Sequence, residues 1–225
     1  MRISIALLIL MMWWCSNSSA LAYEKEYFLL ETARPKNVAV LKEQIRQEHL
    51  RFLGLTLGES TLSEARQRFG EAKTITVGHD GVVICYRSSN TKDDTLITFG
   101  SDLHGDQKLI SFQLMTRQQP FKGKEECSPS PLVSKAAETD SGLSLGLNSE
   151  SVKNIMRAPM TETNGHLILD YDYQAATTFK NAPACLMVFG STAVRLERGK
   201  VTWLLVTRGT EGSRGACMNQ NGEEK

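Results

Sequence analysis

Gly142-x-Ser144-x-Gly146 has the spacing of a nucleophile elbow, the strained turn that lifts a serine hydroxyl clear of a sheet in many hydrolases. The turn works only when a strand feeds straight into it. Here a Pro- and Ser-bearing stretch precedes the motif, and the same pattern occurs earlier as Gly54-Leu55-Thr56-Leu57-Gly58, with Thr56 in place of Ser144. A structural loop leading into a helix accounts for both copies, and a small secreted hydrolase using Ser144 with a histidine is the enzymatic alternative. The four histidines are His49, His79, His104 and His166. None has the i, i+4 spacing of a helical metal pair, and turn residues surround His79 and His104, so all four are expected at the surface as ordinary turn residues. Asp93-Asp94 and Asp170-x-Asp172 lack any calcium-loop pattern. No Walker or Rossmann glycine pattern occurs. The sequence therefore predicts no catalytic residue, no metal and no cofactor.

Cysteine chemistry is more informative. Met1-Arg2 is a short basic start, Ile3 to Trp14 is apolar, and Ala20-Leu21-Ala22 closes a polar stretch as a cleavage site. That is the pattern of a secretory signal over residues 1–22, and its apolar run is too short to span a bilayer. Cys15 leaves with the signal, since Trp13-Trp14 before it argues against a lipid-modified cysteine. Cys85, Cys127, Cys185 and Cys217 remain, an even count that reads as two disulfides in an exported protein. The expected location is the periplasm or the medium. Loss of Arg2 leaves 25 basic and 25 acidic side chains with no basic cluster. That balance argues against nucleic acid as a partner, and no later run is long enough for a membrane span.

The elements that must position these groups come twice. Gly54–Gly58 matches Gly142–Gly146, Leu96–Ser101 matches Leu186–Ser191, and Phe112–Arg117 matches Trp203–Arg208. The offsets of 88, 90 and 91 residues drift little over the unit. After the first Gly-Leu segment, Thr61-x-x-Glu64 is a capping box, Leu62, Ala65 and Phe69 share a face, and Gly70 ends the helix. In the second copy Val152, Ile155 and Met156 form the stripe and Pro159 bars continuation. Strands are predicted near 82–87, 95–100 and 109–116, and again near 166–172, 185–190 and 201–207. A helix bearing Val38, Leu41, Ile45 and Phe52 is predicted before the first unit, and a short one near Leu132–Ala137 before the second. The domain reading is a signal (1–22), an N-terminal helix with a first unit (23–117), a linker (118–140), a second unit (141–208) and a tail (209–225).

A Gly-Leu-Thr-Leu-Gly lead into a helix ending in Phe69-Gly70, then strands bearing Cys85-Tyr86 and Phe99-Gly100, resembles the unit of the SmpA/OmlA outer-membrane assembly lipoproteins. Two such units in tandem resemble the secreted β-lactamase-inhibitor proteins. The resemblance implies an α+β fold of two tandem units, with helices on one face of each antiparallel sheet. The acylated cysteine of the lipoproteins is missing, and no contact residue of the inhibitors can be matched.

Each unit holds one strand cysteine and one cysteine beyond its terminal Thr-Arg. Four cysteines allow three connectivities, and the repeat favours Cys85–Cys127 with Cys185–Cys217. Strand alternation, read through the aligned repeats, places Ile97, Phe99, Ile110, Phe112 and Leu114 towards the helices, together with Met187, Phe189, Val201, Trp203 and Leu205. The open face of the second sheet would then carry Asp170, Asp172, Leu186, Val188, Leu204 and Val206. An exposed apolar patch of this kind marks an interface unless it packs elsewhere in the chain. The reading is a non-catalytic module that binds another protein of the envelope or extracellular space. The alternatives are the Ser144 hydrolase and a structural accessory of envelope assembly.

Overall fold

A computed structural model describes residues 37–77, 81–102, 107–116, 124–179, 182–214 and 217. The predicted signal, the cleavage site and the candidate turn residues His79 and His104 lie outside them. The described chain is mostly β. Its strands are β1 (Val40–Leu41), β2 (Arg51–Phe52), β3 (Leu55–Thr56), β4 (Thr74–Val77), β5 (Gly81–Ser88), β6 (Thr95–Asp102), β7 (Leu109–Thr116), β8 (Ser128–Ser130), β9 (Thr161–Thr163), β10 (His166–Phe179), β11 (Ala182–Glu197) and β12 (Lys200–Arg214). Two α-helices accompany them among the described residues, α1 (Leu62–Phe69) and α2 (Ser149–Met156).

The expected α+β pair of helix-plus-sheet units is therefore corrected. A mixed sheet of ten strands runs β1-β10-β11-β12-β7-β6-β5-β4, with β8 beside β5 and β9 beside β10, and β2 and β3 pair apart from it. β12 pairs antiparallel with β7, so the two meanders fuse edge to edge instead of forming separate sheets. Pairing of β1 with β10 and of β8 with β5 is parallel, which makes the sheet mixed. Fusion removes two exposed edges at once, which two small separate sheets would have left open.

One face of the sheet carries both helices. Leu62, Ala65 and Phe69 from α1 and Val152 and Met156 from α2 join Ile84, Tyr86, Phe99, Phe112, Leu169 and Leu204 in a single buried cluster. Phe69 lies 5.1 Å from Phe99 and 5.3 Å from Tyr86 between ring centroids. α1 starts as the sequence predicts: Glu64 N–H donates to Thr61 Oγ1 and the Glu64 carboxylate accepts from Thr61 N–H. Asn148 caps α2 through the amide of Ser151. The helix predicted over Val38–Phe52 is absent. β1, a 3-10 turn at Gln47–His49 and β2 occupy that stretch, yet Ile45 and Phe52 are buried as an apolar stripe requires. No helix forms at Leu132–Ala137 either. Turns closed by Val133 N–H to Ser130 O and Ala137 N–H to Ser134 O bring Val133 and Ala137 into the core, and β8 lies in the same predicted linker.

The two Gly-Leu-x-Leu-Gly loops are pinned alike. Gly58 N–H donates to Leu109 O at 2.7 Å and Gly146 N–H to Val201 O at 2.8 Å, each reaching the first residues of a sheet-centre strand. Gly58 and Gly146 have φ of 79° and 83°, a conformation that disfavours any side chain with a Cβ. The Arg208 guanidinium donates to Leu57 O and packs where a Gly58 side chain would project.

A second close approach fixes β10 to β12. The Tyr171 phenol crosses over Gly190 of β11 and donates to Thr207 O at 2.6 Å. A Cβ at Gly190 would lie 2.2 Å from that carbonyl and 2.4 Å from the phenol oxygen. Gly190→Ala is therefore expected to lower stability by about 2 kcal/mol through overpacking, seen as a lower urea midpoint with an unchanged slope.

Candidate functional site

β10, β11 and β12 are 14, 16 and 15 residues long, against eight each for β5, β6 and β7. The excess length forms a three-stranded arm. Its register is unbroken from Tyr171–Gly190–Arg208 to Ala184–Arg214. The Cys185–Cys217 disulfide ties the chain beyond β12 back onto β11 in the arm, and Cys85–Cys127 ties the stretch before β8 onto β5. Both strand cysteines lie on the sheet face away from the helices, since their neighbours Ile84, Tyr86, Leu186 and Val188 belong to the helix-side cluster or pack on it.

The structure buries four of the six candidate binding residues. Val188, Leu204 and Val206 are 1 %, 0 % and 0 % exposed and belong to the main core; Leu186 packs against it. Asp170 is buried beside β1, where its N–H donates to Ala39 O. Asp172 alone stays at the surface, ion-paired with Lys42 at 2.7 Å. Leu204 and Val206 turn inward because of a β-bulge in β12, and β7 has a like one. β7 carries Ile110 as an extra residue where Gly100 faces Ser111 and Ser101 faces Leu109. β12 carries Thr202 as an extra residue where Arg195 faces Trp203 and Leu196 faces Val201. Simple alternation through either bulge assigns every later side chain to the wrong face.

The large apolar residues that the arm exposes are instead Met187 and Phe189, 38 % and 45 % exposed on its central strand. Phe189 stands opposite Asp172 on β10 and Gly209 on β12, and its ring occupies the space that a Gly209 side chain would need. Met187 stands opposite Gln174 and Glu211. The outcome is an apolar pair on a pleated surface, flanked by a carboxylate on each side strand. Sequence reasoning placed both side chains in the core. β11 has no extra residue of its own, and the alignment of Leu186–Ser191 with Leu96–Ser101 is what turned them inward.

Ser144 occupies an isolated bridge with Glu138 in the loop before α2, between Gly142 and Gly146 at positive φ. No strand runs directly into it. His49, expected at the surface, is 1 % exposed, and neither ring nitrogen has a hydrogen-bond partner. Burial, reinforced by the nearby Arg46 cation and opposed by Glu48, pushes its imidazole down to about 4. His166 Nδ1 lies 3.1 Å from Asn164 O, and burial lowers that imidazole as well. Among the described residues no cluster of three or more histidine, cysteine or carboxylate side chains could hold a metal ion. Among them too, no helix is long and apolar enough to cross a membrane. No family model, curated protein or solved structure matches this chain.

Proposed function

We propose that the protein is an exported, non-catalytic binding module built from an internal repeat, and that the outer surface of its long arm engages another protein. The observation that carries the reading is the exposure of Met187 and Phe189 together on one strand of a disulfide-tied arm. Large apolar side chains displayed on a rigid sheet mark contact surfaces, because burying them against a partner removes apolar area from water at no cost in backbone order. Glu211 beside the pair favours a partner that carries a basic group next to its apolar contact. The matching glycine conformations and hydrogen bonds of the two Gly-Leu-x-Leu-Gly loops support the repeat. The two disulfides support an oxidising compartment, the periplasm or the medium.

Phe189→Lys is the test. Its aliphatic stem can still cover Gly209, so stability is expected to change by less than about 1 kcal/mol. Capture of envelope or extracellular proteins by the tagged chain is expected to be lost. Equal capture by wild type and variant, with equal melting temperatures, would refute the arm as the contact surface.

A further inference from the structure

β10 borders the arm, and only its first part is covered. Residues 166–168 pair with β9, and Asp170 and Tyr171 with β1. Among the described residues no strand lies beside β10 from Asp172 to Phe179 on the side away from β11. The direction of the open backbone groups follows from the ladder. Asp170 N–H donates outward to Ala39 O, and the register with β11 is continuous from His166 to Phe179. Backbone polar groups alternate sides along such a strand, so Gln174, Ala176 and Thr178 also turn N–H and C=O outward. All three side chains are exposed.

Proteins guard an open edge with charge, proline, a bulge or brevity. β4, at the other end of the sheet, has four residues, follows Lys73, and has the Arg66 guanidinium on Thr74 Oγ1 at 2.5 Å. The run Tyr173-Gln174-Ala175-Ala176-Thr177-Thr178-Phe179 carries none of these devices. We propose that this edge is where two copies of the chain associate, β10 against β10, continuing the sheet antiparallel across a two-fold axis. Self-pairing suits it for a specific reason. In a register centred on Ala176, that small residue meets its own copy and the Gln174 amide meets the Thr178 hydroxyl, so no like charges face each other. Asp172, the first charge along the edge, is already neutralised by Lys42.

Sedimentation of the purified protein across a concentration series tests the proposal. A reversible monomer–dimer equilibrium is expected. Ala176→Pro removes an outward N–H that β11 does not use, so it should yield monomer at every concentration with an unchanged melting temperature. If proline disturbs β10, the double change Gln174→Lys with Thr178→Lys keeps the ladder and places lysine opposite lysine in both halves of the axis. Its dissociation constant should rise about tenfold at low salt and recover at high salt. A dimer indifferent to these variants would overturn the proposal. So would a chain that stays monomeric at millimolar concentration, which would leave the edge to an extended segment of another protein.

Discussion

Leu204→Lys is expected to cost at least about 4 kcal/mol and to lower the melting temperature by about 10 °C or more, or to prevent folding. Leu204 is fully buried on β12, opposite Val194 on β11 and Leu114 on β7, and all three belong to the helix-side core. Truncating a leucine in such a place costs about 2–5 kcal/mol for lost contacts and cavity. Lysine adds an ammonium group that must be desolvated or deprotonated. The whole stability of a domain is about 5–15 kcal/mol, so the change uses up much of it. Phe189→Lys provides the contrast, with the same charge on the opposite face and little loss. A Leu204→Lys melt within a degree of wild type would mean that β12 presents its other face to the core.

The second large effect is a fall in stability with acid, centred on His49. Its ring is buried, lacks partners for both nitrogens, and is held neutral down to about 4. An unfolded chain titrates histidine near 6.5. Between these values the unfolded state takes up a proton that the folded state refuses, so stability is full above about pH 7 and is lost as pH falls towards 4. The span corresponds to about 3 kcal/mol. Carboxylates also titrate in this window, so the measurement is a comparison. Denaturant unfolding at pH 7 and pH 4 should show a drop about 3 kcal/mol smaller in His49→Phe than in wild type. Equal drops would place the wild-type imidazole in contact with water.

Local chemistry was legible where a few neighbouring residues decide the outcome. Thr61 and Glu64 cap α1 and Gly70 ends it because the capping groups lie within one turn of each other. The disulfide pairing follows from the position of each cysteine relative to its own strands. The face of β12 was not legible, because one inserted residue reverses alternation and Thr202 has no feature that announces a bulge. β11 was misplaced by the match of Phe99-Gly100-Ser101 with Phe189-Gly190-Ser191, since the strand carries no extra residue of its own. The first glycine sits at the bulge, while Gly190 sits well before the irregularity at Arg195 and Leu196 and is needed for the Tyr171 crossing. The arm was foreshortened for a different reason. Gln174 to Thr178 are polar or small and lack the apolar alternation that marks a strand, although the ladder with β11 runs through all of them. The fused sheet itself depends on β7 meeting β12, a contact between distant segments that neither specifies alone.

That meeting governs the order of assembly. Trp203 on β12 donates its indole N–H to Gln113 on β7 across 90 residues of chain, and β12 occupies the middle of the sheet although it is the last strand among the described residues. A polypeptide emerging from its N-terminus thus lacks its central strand until the final described residues arrive. The β4–β7 meander waits with one edge bare and Leu114 without its Leu204 neighbour. Closing so long a loop late makes folding slow. Truncation before Lys200 should therefore yield an unfolded chain rather than a stable first half.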